Sequence, residues 1–291
     1  MLFKDSQKQK ELEKNGYVVI PFLTTQDVAE LNQFYCEIHS GGSPPNFIEG
    51  IHMTTWCKDA EYKKKVSGYL ENLFLKPTND FFDHVRRLNH VFIVKKTGKD
   101  TTFKVHQDWN VVDESKYESV NVWVPLHDVD EHSGALWVLP GSHKIKRKIR
   151  GAGYLFPDYS PYFNELEKKS ISVKLKAGEA IVFYHSIIHG SPPNLANNDR
   201  KAACFSVIPE NAPLCIYFQP TANDSLEQYE PSDDFVFGYE YLRTESLTRP
   251  PANSPVKTTP PYLNNKVQFK EIQEFLNPQK GFLARLFSKS S

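Results

Sequence analysis

From Val91 to Pro209 the chain is a succession of short β-branched and aromatic runs, each closed by Gly, Pro or Asn, and this texture restricts its fold more than any other feature. The runs are Val91 to Lys95, Phe103 to His106, Val120 to Pro125, Ala135 to Leu139, Ile171 to Leu175, Ala180 to His189 and Lys201 to Pro209. Strands separated by Gly, Pro and Asn turns predict a barrel or sandwich rather than βαβ units. A chain of 291 residues can bury one large β-rich domain or two small ones.

The flanks read differently. Asn15 to Phe22 is a short strand closed by Pro21, and Thr24-Thr25 offers the N-cap of a helix carrying Val28, Leu31, Tyr35 and Ile38 at helical spacing until Gly41-Gly42 stops it. Tyr62 to Val85 predicts further helix, interrupted at Pro77. Beyond Phe218, prolines at 220, 231, 250, 251, 255, 260 and 261 predict an extended segment without a second core, followed by a helix over Lys266 to Asn277 with Val267, Ile272 and Phe275 in phase. The expected organisation is a β domain with a helical N-terminal part over residues 1–218, and a Pro-rich extension wrapping the same domain over 219–291.

Lysine plus arginine equals aspartate plus glutamate at 35 each, so no overall field draws the protein to nucleic acid or to an anionic membrane. The basic run Lys144 to Arg150 reads as solvated surface or, beside an active site, as a holder of anions. The first residues lack the apolar core of a signal peptide, and no stretch approaches the roughly 20 apolar residues of a membrane span, so a reducing cytoplasm is the expected compartment. Cys36, Cys57, Cys204 and Cys215 form no C-x-x-C pair; neither a disulfide nor a zinc ribbon is expected, and Cys36 and Cys204 read as core thiols. The tail bearing Phe282, Leu283, Leu286 and Phe287 with Lys280, Arg285 and Lys289 either lies on a membrane surface or docks on its own domain or an oligomer partner.

Within "VHQDWNVV", His106 and Asp108 stand at i and i+2, so on a strand both aim at one point. Chance supplies such a pair in about every second chain of this length, so it needs a partner. His189, ending "EAIVFYHSIIHGS", is the third candidate, and His185 competes with it because four residues along a strand share a face. If Ala180 to His189 and Arg200 to Pro209 pair as a hairpin, His189 and Arg200 become neighbours across the ladder. Two histidines and one carboxylate make the facial triad of non-haem Fe(II) oxygenases, and a nearby arginine suits a bidentate carboxylate. A helical zinc pair of His185 and His189 is disfavoured by the β-branched run around them.

In these motifs the chain resembles the phytanoyl-CoA dioxygenase family of Fe(II)- and 2-oxoglutarate-dependent oxygenases, from about Gly16 to about Pro209. "NGYVVIPFLTTQDVAELNQF", "VHQDW", "SGALWVLPGSHK" and "GEAIVFYHSIIHGSPPNLANNDRKAACFSV" carry the resemblance in order. It implies a double-stranded β-helix, a cupin-like jelly roll, with Fe(II) held by His106, Asp108 and His189 at one mouth. It also implies that Arg200 and Ser191 hold the distal carboxylate of 2-oxoglutarate, that Trp123 lines that pocket, and that Asn89 makes a polar co-substrate contact. Trp109, next to Asp108, is placed toward the substrate. The implied chemistry consumes O2 and 2-oxoglutarate, releases succinate and CO2, and hydroxylates an unactivated C–H bond of a small molecule. Halogenating relatives replace the carboxylate ligand, so Asp108 favours hydroxylation. The loops Gly42 to Lys64, Lys144 to Lys168 and Gln219 to Tyr262 would shape the substrate pocket. The competing readings are a non-oxygenase cupin-like metal protein, such as an isomerase or small-ligand sensor, and an oxygenase of membrane lipids or lipid-linked sugars.

Overall fold

The computed structural model describes residues 1–40, 42–145, 149–155, 157–239, 249, 255–263 and 267–276. The larger sheet runs β1 (Tyr17–Pro21), β9 (Glu179–Tyr184), β5 (Val120–Pro125), β11 (Arg200–Pro209), β3 (Val85–Lys95) and β2 (Ile51–Met53), every neighbour antiparallel. Facing it is a smaller antiparallel sheet of β4 (Phe103–His106), β10 (His189–Ser191), β6 (Trp137–Val138) and β8 (Ile171–Ser172). The two sheets form the expected double-stranded β-helix.

Alternation along the strands sorts side chains into two cores. On β11, Ala202 and Cys204 join Val91, Trp123, Ile181, Phe183 and Val138 in a cluster between the sheets. Ala203, Phe205 and Val207 point the other way, into a layer of helices α1 (Ser6–Asn15), α2 (Thr25–Ile38) and α3 (Ala60–Phe81), where Leu12, Leu31, Val66, Leu70 and Phe74 are fully buried. The larger sheet thus buries both faces, which is why β9 and β11 read as continuous apolar runs.

The helices follow local signals. Thr24 Oγ1 accepts from Asp27 N at 3.2 Å while Thr24 N donates to Asp27 Oδ2 at 2.8 Å, the reciprocal cap that starts α2. Helix α1, not anticipated from the sequence, is capped by Asp5 and closed by Gly16, whose φ of 87° lets its N–H reach Leu12 O. Pro77 does not interrupt α3, which continues to Phe81. A mid-helix proline costs about 3 kcal/mol; here it falls in the last turns, and burial of Phe74, Pro77 and Thr78 offsets it. Cys36 is exposed rather than in the core, because the adjacent Tyr35 takes the inward position on α2.

The described residues beyond Phe218 form more regular structure than the prolines suggest. A third sheet joins β14 (Pro255–Thr259), β13 (Leu226–Tyr229), β12 (Ile216–Gln219) and β7 (Ala152–Gly153), with Cys215, Tyr217 and Leu226 buried beside it. Helix α4 (Phe163–Lys169) and helix α5 (Phe269–Leu276) pack with Tyr159 against Val105, Leu139 and Ile188 in and beside the strands of the smaller sheet. No helix among the described residues is long and apolar enough to cross a membrane. The basic-apolar tail lies outside the described residues.

The largest departure concerns Ala180 to His189, expected as one strand. It breaks after Tyr184, where Ile187 N donates to Tyr184 O at 3.0 Å, and resumes in the other sheet as β10. The expected hairpin with β11 is therefore absent: His189 pairs with His106 and Val138, while Arg200 pairs with Lys95. No turn residue except Ser186 marks the break, so composition hides it. β6 and β8 are also shorter than the runs Ala135 to Leu139 and Ile171 to Leu175.

Candidate metal centre and anion pocket

His106 and His189 are brought together by register. They are partners across β4 and β10, with ring centroids 4.3 Å apart, and Asp108 follows two residues after the end of β4. His106 Nε2 lies 3.4 Å from Asp108 Oδ1, and His189 Nε2 lies 3.6 Å from Asp108 Oδ2. The three ligand atoms all fall within 4.8 Å of one another, the only such cluster of metal-binding side chains among the described residues.

The donors are prepared for a metal. His106 Nδ1–H donates to Lys104 O at 2.8 Å, and His189 Nδ1–H donates to Ile187 O at 3.1 Å. Carbonyls only accept, so both rings carry their proton on Nδ1 and present the Nε2 lone pair to the cluster. Burial lowers the His189 pKa to about 4, keeping that ring neutral near pH 7. Burial pushes the Asp108 carboxyl up, but His189 and His106 outweigh it and hold the group below the usual carboxylate range. Two donors about 2.1 Å from one ion at a right angle lie about 3 Å apart, so the observed spacing and donor set fit a facial triad.

Asn121 fixes the carboxylate. Its Nδ2 donates to Asp108 Oδ2 at 2.7 Å, and its Oδ1 accepts from His185 Nε2 at 3.0 Å and from Ser206 Oγ at 2.8 Å. His185 Nδ1 in turn accepts from Ser119 Oγ at 2.7 Å. His185, the competing ligand candidate, thus stands outside the cluster with its Nε2 committed to Asn121. Gln107 points away from the cluster into the wall, as the pleat requires: Nε2 donates to Ser186 O at 2.6 Å and Oε1 accepts from Tyr159 Oη at 2.5 Å.

Two residues along β10 from His189, Ser191 Oγ accepts from Lys95 Nζ at 2.6 Å, and Lys95 also donates to Pro192 O at 2.6 Å. Lys95 and Arg200 are cross-strand partners, both buried. Arg200 donates to Gly134 O at 2.7 Å, its Nε has no hydrogen-bond partner among the described residues, and its guanidinium lies 5.1 Å from the Trp123 ring. Burial lowers Lys95 to about 6, with Arg200's charge adding to it, and lowers Arg200 to about 10. Among the described residues no carboxylate pairs with Lys95 or Arg200.

Lys95 and Asn121 were missed by sequence reasoning. Period-two alternation from Val91 through Ile93 places Lys95 inward, a signal that its neighbour Lys96 and the following turn obscured. Asn89, expected at the co-substrate, sits in a bulge of β3 with φ of 56° and a buried Oδ1 that has no hydrogen-bond partner among the described residues. Trp109 packs against Phe218 and Tyr229 of the third sheet. Of the basic run, Arg150 is fully buried and paired with Glu114, so this end is not solvated surface. Residues 146–148 of that run lie outside the described residues.

A sequence model of the phytanoyl-CoA dioxygenase family matches residues 12–202. The phytanoyl-CoA dioxygenase of Arabidopsis thaliana is 30% identical over 156 residues, covering 52% of this chain and 52% of that protein. The chain thus spans about half the length of this curated relative. Among solved structures, the non-haem α-ketoglutarate-dependent carbocyclase SnoK from nogalamycin biosynthesis superposes with a TM-score of 0.53 at 17% identity, over 72% of this chain and 86% of its own. HygX from Streptomyces hygroscopicus, solved with nickel, 2-oxoglutarate and hygromycin B, superposes with a TM-score of 0.51 at 15% identity, over 71% and 88%. At these identities the two structures bear on the fold.

Proposed function

We infer that this chain, which belongs to the phytanoyl-CoA dioxygenase family, is a non-haem Fe(II)- and 2-oxoglutarate-dependent dioxygenase that hydroxylates a C–H bond of a small molecule. The observation that carries this reading is the placement of two buried basic side chains, Lys95 and Arg200, without a carboxylate partner among the described residues, beside Ser191, two residues from a His-Asp-His cluster. A metal-binding jelly roll without a dicarboxylate partner has no use for that pair.

His106, Asp108 and His189 would hold Fe(II). Arg200, Lys95 and Ser191 would fix the distal carboxylate of 2-oxoglutarate, with Trp123 beneath the guanidinium. When bound, Fe(II) with 2-oxoglutarate and O2 supplies an oxidant that turns the substrate C–H into C–OH as 2-oxoglutarate becomes succinate and CO2. The protein's part is to orient the donors through Asn121 and the backbone carbonyls, and to bury the co-substrate's charge against two cations.

The test is succinate release from protein, Fe(II), ascorbate and 2-oxoglutarate against a panel of small molecules, with product hydroxylation read by mass. Retained activity in Asp108→Ala or His189→Ala would overturn the assignment.

A further inference from the structure

His106 and His189 are ladder residues, so the sheet fixes their backbones. Asp108 is not. β4 ends at His106, and the carboxylate follows on chain with no strand partner. A side chain that must meet two imidazoles at bonding distance needs its backbone fixed by other means.

Its amide is held by His185, whose O accepts from Asp108 N at 3.0 Å. Its carbonyl is held by Arg150, whose Nε donates to Asp108 O at 2.6 Å. Arg150 N donates to Asn110 Oδ1 at 2.6 Å, and Asn110 N donates back to Arg150 O at 3.2 Å. The far side of the guanidinium takes both oxygens of Glu114, Nη1 to Oε2 at 3.1 Å and Nη2 to Oε1 at 2.5 Å, with the side chains 0% and 7% exposed. A buried guanidinium is costly unless neutralised and hydrogen-bonded. Glu114 neutralises it and fixes the plane of the fork, which leaves Nε aimed at one carbonyl.

We propose that Arg150, with Glu114 as its counter-ion, is a positioning residue that holds the peptide carbonyl of Asp108 and thereby sets where the carboxylate meets the metal. The inference rests on reading the His-Asp-His cluster as a metal site. It gives a role to the last residue of the basic run, and it fastens the third sheet to the metal centre. Gly151, next in the chain, lies so close to β12 that an added Cβ would meet Tyr217 O at 2.2 Å, and β7 then pairs with β12.

The experiment titrates the apoprotein with Co(II), following affinity by calorimetry and ligand geometry by the visible spectrum. Wild type is compared with Arg150→Lys, Glu114→Gln and Lys63→Met. Lys63 is an equally buried cation whose donors go to Val236 O and Tyr239 O, so its loss reports general destabilisation. Arg150→Lys keeps the charge against Glu114 but removes the Nε donor. The expected result is a loss of about tenfold or more in Co(II) affinity with a shifted spectrum, the size seen when a metal ligand loses its outer partner. Lys63→Met should lower the melting temperature and leave both readouts unchanged. Wild-type affinity and spectrum in Arg150→Lys overturn the proposal, whatever its melting temperature. Should Arg150→Lys not fold, Glu114→Gln is read the same way, a several-fold loss supporting the proposal and wild-type behaviour overturning it. A wild-type protein that binds no Co(II) removes the metal reading, and this inference with it, which separates the two failures.

Discussion

Lys95 and Arg200 stand opposite each other on β3 and β11, a buried amine and a buried guanidinium in direct register with no carboxylate between them among the described residues. Burial and the adjacent Arg200 charge favour the neutral amine of Lys95 in the protein alone, and an anion in place would favour its charged form. Hydrogen bonds to charged groups contribute about 1.5–3 kcal/mol each. Lys95→Met and Arg200→Met should each weaken 2-oxoglutarate binding to the Co(II)-loaded protein by about tenfold or more, measured by calorimetry. Unchanged affinity in both would move the co-substrate elsewhere.

A buried lysine with its pKa lowered to about 6 also predicts proton uptake. Near pH 8 Lys95 is neutral in the free protein, and a carboxylate arriving beside it restores the charged form. Binding should therefore take up close to one proton at pH 8, seen as a dependence of the binding enthalpy on buffer ionisation heat, and affinity should fall as pH rises from 6 to 9. Lys95→Met should abolish the uptake. The sign for stability follows from the same shift. The folded pKa lies below the unfolded value, so between about pH 6 and the ordinary lysine range the unfolded chain holds the extra proton, and the ligand-free protein gains stability from this group as pH rises.

Asn121 supplies the third test. Its Nδ2 meets Asp108 Oδ2 at 2.7 Å and its Oδ1 is held by Ser206 and His185, so Asn121→Ala frees the carboxylate to rotate. Loss of such an outer partner costs about 10–100-fold in metal affinity. Co(II) titration checks it, and a value within twofold of wild type would leave Asn121 a packing residue. Asn121→Asp should be more damaging, since it sets a second carboxylate against Asp108.

How the site is assembled explains what could be read in advance. The spacing of His106 and Asp108, and the His-Gly-Ser context of His189, are local, and the structure brings those side chains together. The register that does so is not local. His189 meets His106 because the chain crosses between sheets after Tyr184, through residues that look like uninterrupted strand. Lys95 looks like an ordinary strand-end lysine until β11 places Arg200 beside it. Helix α2, most of α3 and most strands of the two sheets followed from hydrophobic period and turn residues, whereas α1 and the break between β9 and β10 did not. The third sheet did not, because β12, β13 and β14 are short and its prolines sit between them.

Gln107 lies between two proposed ligands and faces the opposite way, where it is 4% exposed and bonded to Ser186 O and Tyr159 Oη. It joins the start of the His-Asp-His cluster to the turn that carries the chain from β9 to β10, and to Tyr159, which packs with Ile272 of α5. Gln107→Leu fills the same space but strands a carbonyl and a hydroxyl, each costing about 1–3 kcal/mol. The expected outcome is a loss of about 2–4 kcal/mol in denaturant unfolding of the apoprotein, larger than for Gln107→Glu, which keeps an acceptor for Tyr159. Because Gln107 touches no proposed ligand side chain, the folded fraction of Gln107→Leu should bind Co(II) within a few-fold of wild type. A variant with unaltered stability would show that the wall beneath the metal strands does not depend on this bridge.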